Sequence, residues 1–285
     1  MKYQKFEDRI EIYDKQNFCP KHILECGQVF CYKKVFDEYV VYPKDKFCKI
    51  IESADKYVIE TTDVEYFENY FDLKTDYEKI KSELKKHEEL AFPLEYGSGI
   101  RILKQELLET VVGFIISANN NIGRIKNSLN KIRERFGKEV ALIDGEKFYA
   151  FPTLEDLKTL TEEDFKTFGT GYRAGYLVDT ISKLDKFLED FSMKNSETLG
   201  TKILLSELLK LKGVGRKVAE CILLFGYGKL DVFPVDTWIK KVYKDIFGEE
   251  ESSSNSMCDK LILKYGSLSG YAQQYLFYSK RENKN

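Results

Sequence analysis

Residues Leu209–Phe225 read LKLKGVGRKVAECILLF and carry the strongest structural signal in the chain. The pattern predicts an apolar helix that ends at Lys212, a tight Gly213-Val214-Gly215 turn, and a second apolar helix that begins at once. Glycine permits a positive φ and the close approach of another backbone. Because the first N–H groups of a helix lack intrahelical partners, the start of the second helix suits an anion such as a phosphate. An αα-hairpin whose glycines only form the turn is the alternative.

Lys217 lies just inside the second predicted helix, and Cys221 follows one turn later on the same face. The positive end of the helix dipole disfavours the charged form of an amine at this place. A neutral lysine amine is a nucleophile, so Lys217 is a candidate catalytic residue. An ordinary surface lysine would also fit the pattern.

Asp236 follows Pro234 and directly precedes the amphipathic pattern TWIKKVYKDIF, which is typical of a helix N-cap. A cap holds the carboxylate at a defined place that faces the same hairpin. A lysine and a fixed carboxylate beside a phosphate-binding turn together form a candidate catalytic constellation. Capping alone, without chemistry, is the alternative for Asp236.

Two polar stretches could contact a nucleic acid. The run ISANNNIGRI places three asparagines within a helical pattern, where Asn is a poor helix former, and includes Asn119 and Arg124. The glycine-rich run GTGYRAGY carries Tyr172 and Arg173, and an exposed aromatic beside an arginine can wedge between stacked bases. A polar helix junction and an ordinary turn are the alternatives.

Near the end of the chain, GYAQQYLF places Gln273 and Phe277 four residues apart, on one face of a predicted helix. This pair offers a hydrogen-bonding amide next to an aromatic ring. A core phenylalanine with a glutamine neighbour would give the same pattern.

The period of the hydrophobic pattern divides the chain in two. The first 75 or so residues alternate apolar and polar positions in short runs, as half-buried antiparallel strands do. From about Tyr77 onward the pattern is that of amphipathic helices, many of them followed by glycine. The sequence therefore predicts an α+β protein with a small antiparallel β-rich domain over residues 1–98 and a large all-α domain over residues 99–285.

Composition excludes several classes of protein. The chain has 285 residues, is 43% hydrophobic and carries a net charge of −2, so it can build cores and lacks a uniformly basic surface. Segments 101–140 and 202–245 are nevertheless locally basic, which favours one positive face. No apolar run is long enough for a membrane span, and the N-terminus is charged, so we expect a cytoplasmic protein with reduced cysteines. Six cysteines without a C-x-x-C pair and only two histidines argue against a metal or other cofactor.

Together these motifs resemble the 8-oxoguanine DNA glycosylase/lyase family of the helix-hairpin-helix glycosylase superfamily. The resemblance covers nearly the whole chain, in the order CGQVF, FDL, SANNNIGRI, GTGYRAGY, LKGVGRKVAEC, FPVDTWIKKVY and GYAQQYLF. It implies that Lys217 is the nucleophile and that Asp236 orients it and stabilises the developing sugar cation. It also implies that Cys221 and Phe277 sandwich a flipped purine whose Watson–Crick edge bonds to Gln273.

The resemblance assigns further contacts to the DNA. Main-chain N–H groups of the hairpin turn, residues 213–215, would bind a backbone phosphate. The carbonyl oxygen of Gly27 would accept a hydrogen bond from the N7–H that only the oxidised base carries. Asn119, Arg124 and Arg173 would hold the unpaired cytosine, and Tyr172 would be the wedge. The implied partner is double-stranded DNA with 8-oxoguanine opposite cytosine, bound by a monomer without a cofactor or membrane contact.

Two positions depart from the eukaryotic members of the family. They have His two residues after the catalytic Asp, where this chain has Trp238, and Asp three residues beyond the stacking Phe, where this chain has Lys280. We expect the edge of the pocket to differ there. Two other functions fit the motifs: a bifunctional glycosylase for another oxidised or alkylated base, and a non-catalytic helix-hairpin-helix DNA-binding module.

Overall fold

The first part of the chain folds into a six-stranded antiparallel sheet, as the alternating pattern predicts. The computed structural model describes residues 1–192, 198–248 and 253–283. The six strands are β1 (Tyr3–Lys5), β2 (Arg9–Ile12), β3 (Tyr32–Val35), β4 (Glu38–Val41), β5 (Cys48–Glu52) and β6 (Tyr57–Glu60). Their order in the sheet is β1-β2-β6-β5-β4-β3.

Helices form most of the remaining described residues. They are α1 (Pro20–Leu24), α2 (Val64–Tyr70), α3 (Tyr77–Leu84), α4 (Ala91–Tyr96), α5 (Leu107–Ser117), α6 (Ile122–Phe136), α7 (Leu154–Lys158), α8 (Glu162–Thr167), α9 (Ala174–Asp190), α10 (Thr201–Leu208), α11 (Arg216–Phe225), α12 (Thr237–Phe247), α13 (Ser254–Tyr265) and α14 (Ser269–Glu282). The predicted fold class, a β-rich N-terminal part followed by a helical part, is confirmed. None of the helices in the described ranges has the length and apolarity that crossing a membrane requires.

Two hydrophobic cores organise these elements. In the sheet core, Ile59 of β6 pairs with Ile10 of β2 on one side and Ile50 of β5 on the other, and all three are buried. Helix α2 contributes to this core, whereas α3 and α4 contribute to the helical core together with α11 and α14. Phe30, next to the sheet, belongs to the helical core, so the segment that contains Gly27 lies where the two cores meet.

A β-hairpin that the sequence patterns did not predict interrupts the helical part. Strands β7 (Glu139–Ile143) and β8 (Glu146–Tyr149) pair antiparallel around Asp144-Gly145, whose φ angles are 49° and 82°. Both values are positive, as a type I′ turn requires, and Asp-Gly is a common sequence for it. The Asp144-Gly145 dipeptide is therefore the feature of the sequence from which this hairpin could have been predicted. Phe148 of the hairpin is buried in the sheet core, so tertiary packing also holds the hairpin in place.

Candidate active site beside the helical hairpin

The predicted hairpin is formed by α10, the turn and α11. Gly213 has φ 80°, and a Cβ atom there would lie 2.5 Å from the ring of Tyr176, so only glycine fits. Gly215 is the N-cap residue of α11, with φ −84°. The N–H of Val214 donates to the Leu211 oxygen, whereas those of Gly213 and Gly215 donate to no described residue. Two main-chain donors, one in the turn and one at the N-cap of a ten-residue helix, therefore remain for an anion.

The two glycines provide a matched pair of variants. We expect Gly213→Ala to lower the free energy of unfolding by about 2 kcal/mol or more, since it combines positive-φ strain with a clash. A Cβ at Gly215 meets no atom within 4 Å, so Gly215→Ala should cost less than about 1 kcal/mol. Urea unfolding of both variants measures the difference. Equal losses would show that the turn does not depend on the backbone conformation of Gly213.

A cavity of about 520 Å³ lies beside the hairpin and brings together residues from distant parts of the chain. Lys217, Asp236, Gly27 and Phe277, four of the residues singled out from the sequence, line it. The other lining residues are Phe30, Phe114, Ser117, Asn120, Asn121, Ile122, Gly123, Ile125, Thr237, Trp238, Arg281 and Glu282. The cavity is thus bounded by the sheet-side segment, by α5 and α6, by the hairpin helix α11, and by α12 and α14.

Lys217 and Asp236 are held in this cavity by different means. Lys217 is half-buried, and its Nζ lies 5.5 Å from the centre of the Phe114 ring. Asp236 is the N-cap of α12, as its sequence position predicts: its Oδ1 accepts hydrogen bonds from the N–H groups of Trp238 at 3.0 Å and Ile239 at 2.9 Å. Both bonds use Oδ1, so Oδ2 has no hydrogen bond to a described residue. A fixed carboxylate oxygen therefore remains for chemistry in the cavity.

Cys221 is buried close to both of these residues. Burial raises the pKa of its thiol to about 11; the nearby charge of Lys217 opposes this rise and that of Asp236 adds to it. The thiol is therefore neutral near pH 7 and serves as a small apolar surface. Cys221 does not itself border the cavity in this structure.

Gln273 does not line the cavity and is 5% exposed. Its Nε2 donates to the Pro234 oxygen at 3.4 Å, and its Oε1 is buried without a partner among the described residues. A buried acceptor without a donor carries a free-energy cost. A ligand with an N–H donor would remove that cost if it reached the amide.

Gly27 lines the cavity next to two side chains of α14. Its φ is 84°, and a Cβ atom would lie 2.8 Å from Nη1 of Arg281 and 3.1 Å from Cε1 of Phe277. The backbone of Gly27 therefore packs directly against two side chains of α14. A side chain at this position would both strain the backbone and displace its neighbours.

The asparagine run does not continue a helix but joins α5 to α6. Asn119 has a positive φ of 50°, Asn120 Nδ2 donates to the Ile116 oxygen at 3.1 Å, and Asn121 caps α6 by accepting from the Arg124 N–H at 3.0 Å. Asn120 and Asn121 line the cavity, whereas Asn119 and the exposed Arg124 lie outside its wall. The local bonds explain why asparagine occurs here, and they leave the Arg124 guanidinium at the surface.

Arg173 and Tyr172 lie against the same junction. Nε of Arg173 donates to the Ala118 oxygen at 2.7 Å, and Nη2 donates to the Asn119 oxygen at 2.8 Å. Tyr172 is 57% exposed, and the guanidinium carbon of Arg173 lies 4.5 Å from the centre of the Tyr172 ring. The structure thus gathers Asn119, Arg173 and Tyr172 at one place, next to the cavity. Their roles toward DNA stay predictions.

The two positions that depart from the eukaryotic pattern lie in different places. Trp238 lines the cavity, and Lys241 Nζ lies 4.5 Å from its ring centre. Lys280 does not line it and instead bonds Asp245 Oδ2 at 2.7 Å. Sequence reasoning also missed Phe114 and Arg281: the first looks like any core aromatic of an apolar helix, and the second belongs to no motif.

A glycine-turn hairpin with a lysine on its second helix and a capping aspartate in the same cavity defines a class, the helix-hairpin-helix base excision proteins. Comparison of the sequence with protein-family models agrees with this class, since residues 112–267 match the model of the HhH-GPD superfamily base excision DNA repair protein. Residues 11–111 match the N-terminal domain of 8-oxoguanine DNA glycosylase. The chain belongs to the 8-oxoguanine DNA glycosylase/lyase family.

Three similar proteins illustrate this membership. A probable N-glycosylase/DNA lyase of Methanothermobacter thermautotrophicus is 32% identical over 75% of this chain and 73% of its own length. The N-glycosylase/DNA lyase of Saccharomyces cerevisiae is 29% identical over 90% of this chain and 74% of its own. The 8-oxoguanine glycosylase/lyase of Clostridium acetobutylicum, solved with double-stranded DNA containing cytosine opposite 8-oxoguanine, is 37% identical, with a TM-score of 0.92 over 100% of this chain and 99% of its own.

Proposed function

We propose that this protein is a bifunctional DNA glycosylase and abasic-site lyase that removes 8-oxoguanine paired with cytosine in double-stranded DNA. The observation that carries this proposal is the shared cavity, in which the Lys217 amine and the Asp236 carboxylate lie with Gly27 and Phe277 beside the hairpin. A base within a duplex is inaccessible, so the enzyme must turn it out of the stack into such a cavity.

The chemistry follows from the groups in the cavity. The neutral Nζ of Lys217 attacks C1′ of the sugar, and the bond from C1′ to N9 of the base breaks. The base leaves with the electron pair of that bond and takes up the proton that the amine releases. Asp236 Oδ2, which the cap leaves unbonded, stabilises the positive charge on the sugar as that bond breaks. Opening of the sugar ring leaves an imine between Nζ and C1′. Loss of a proton from C2′ then breaks the C3′–O bond and nicks the strand.

The base would bind between Phe277 and the buried thiol of Cys221. The unpartnered Oε1 of Gln273 fits the N–H donors on the Watson–Crick edge of a guanine. The Gly27 carbonyl would accept a bond from the N7–H of the lesion. The hairpin turn would hold a phosphate, and the junction with Asn119, Arg124, Tyr172 and Arg173 would face the unpaired cytosine.

A borohydride trapping experiment tests this function. The protein is incubated with duplexes that contain 8-oxoguanine, guanine, 7-methylguanine or a ring-opened formamidopyrimidine, and the imine is reduced to a stable amine. We expect an adduct with the 8-oxoguanine duplex and none with the guanine duplex. An adduct only with another lesion would make this a glycosylase for that base. No adduct with any duplex would favour a non-catalytic DNA-binding module.

Gly27→Ala separates recognition of the lesion from catalysis. With normal guanine, the Gly27 carbonyl would face the N7 acceptor, a mismatch that costs roughly 1–3 kcal/mol. We expect Gly27→Ala to lower 8-oxoguanine excision much more than it lowers cleavage at a preformed abasic site, where no base is read. Single-turnover rates on both substrates measure this ratio. Equal losses with an unchanged unfolding midpoint would mean that Gly27 supports the catalytic groups in general.

A further inference from the structure

Arg281, near the end of α14, lies in the cavity in an unusual state for a charged side chain. The side chain is only 13% exposed and lines the cavity beside Gly27 and Phe277. Its Nη2 donates to the carbonyl oxygen of Glu25, two residues before Gly27, and its Nε donates to Glu282 Oε1 at 2.8 Å. Its Nη1 is buried and has no hydrogen-bond partner among the described residues.

The position of this unpaired donor is well defined. The guanidinium carbon lies 5.2 Å from the centre of the Phe277 ring, and Nη1 would lie 2.8 Å from a Cβ atom on Gly27. The bond to Glu25 fixes the guanidinium relative to the turn that carries Gly27. Leaving a buried charged donor without an acceptor is costly, which indicates that a ligand supplies the acceptor.

The chemistry of the lesion offers such an acceptor. Oxidation of guanine changes two neighbouring atoms: N7 gains a hydrogen, and C8 gains an oxygen. A base whose N7–H bonds to the Gly27 carbonyl has its C8 oxygen next to the same glycine. Nη1 of Arg281 is also close to this glycine. Normal guanine has only a C8–H in place of the C8 oxygen.

We propose that Arg281 is a specificity-determining residue that donates a hydrogen bond from Nη1 to the C8 oxygen of 8-oxoguanine. The inference rests on the proposed function and adds a second lesion contact to that of Gly27. The Gly27 carbonyl recognises the hydrogen on N7, and the Arg281 guanidinium recognises the oxygen on C8. The bonds of the guanidinium to Glu25 and Glu282 hold Nη1 beside Gly27, so that both contacts can form on one base.

Binding measurements on Arg281→Met test this contact, because methionine keeps an apolar stem without a donor. In a Lys217→Gln background, Kd is measured for duplexes that contain 8-oxoguanine, guanine or a tetrahydrofuran abasic analogue. We expect 8-oxoguanine binding to weaken by roughly 10- to 100-fold, the range for a hydrogen bond to a charged group, with little change for the other two. Lys183→Met, which removes an exposed lysine paired with Asp179 on α9, is the control and should change none of them.

A change in the base gives an independent test that does not depend on the folding of a variant. In 8-thioguanine the N7–H remains, while a sulfur, a weak acceptor, replaces the C8 oxygen. We expect the protein that retains Arg281 to bind the 8-thioguanine duplex more weakly than the 8-oxoguanine duplex. In the Arg281→Met variant the difference between the two duplexes should be much smaller. Equal losses on 8-oxoguanine and tetrahydrofuran duplexes, or weaker guanine binding in Arg281→Met, would overturn the assignment. A protein with Arg281 that binds 8-oxoguanine and guanine duplexes equally would contradict the proposed function itself.

Discussion

Lys217→Gln is expected to abolish both base release and borohydride trapping while the protein still binds duplexes with 8-oxoguanine. Glutamine is neutral and of similar length, so it should keep the packing of the half-buried side chain against Phe114. It has no nucleophilic amine, and loss of a nucleophile should reduce the single-turnover rate by at least about a thousandfold. Excision is measured by strand cleavage after alkali, and trapping by the slower migration of the protein–DNA adduct.

Lys210→Gln is the matched control. Lys210 lies just before the same hairpin turn, but its ammonium is exposed and bonds Glu207 at 2.6 Å. This variant should still form the adduct. A trapped complex with Lys217→Gln would show that another amine is the nucleophile.

Asp236→Asn is expected to lower turnover by at least about tenfold, an order of magnitude typical of a positioned carboxylate. The amide oxygen of asparagine can accept the same bonds from Trp238 and Ile239, and Asn caps helices about as well as Asp. The fold should therefore survive, and the loss should come from the missing charge beside the sugar. The unfolding midpoint and the single-turnover rate are measured on the same preparation.

Asp245→Asn, on the same helix, controls for the general effect of removing a carboxylate. Asp245 pairs with Lys280 away from the cavity, so its loss should leave turnover nearly unchanged. Near-normal turnover in Asp236→Asn would assign Asp236 to capping alone.

The positions of the proposed catalytic pair, Lys217 and Asp236, could be predicted from the sequence because each residue lies at a fixed offset from a local signal. Lys217 follows a glycine turn, and Asp236 precedes an amphipathic run after Pro234. Local hydrogen bonds and backbone dihedral preferences determine the positions of both residues, and such effects can be recognised in short stretches of sequence. The role of Gly27 came only from the resemblance, since a turn glycine alone does not indicate a ligand.

Other features depend on contacts between distant residues, so no local pattern could reveal them. Arg281 bonds Glu25 across 256 residues and belongs to no motif. Similarly, spacing along α14 placed Gln273 and Phe277 on one face, but only the fold shows that Phe277 lines the cavity and Gln273 does not. The asparagine run joins two helices, which is one of the two interpretations that the sequence left open, because capping and a positive φ outweigh the helical period.

Identifying the residue that carries the trapped sugar tests the central claim most directly. The borohydride-reduced complex with the 8-oxoguanine duplex is digested with nuclease and protease, and tandem mass spectrometry locates the modified amine. The shared cavity of Lys217 and Asp236 predicts a reduced deoxyribose remnant on Nζ of Lys217. A remnant on the N-terminal amine or on any other lysine, with Lys217 unmodified, would contradict the account.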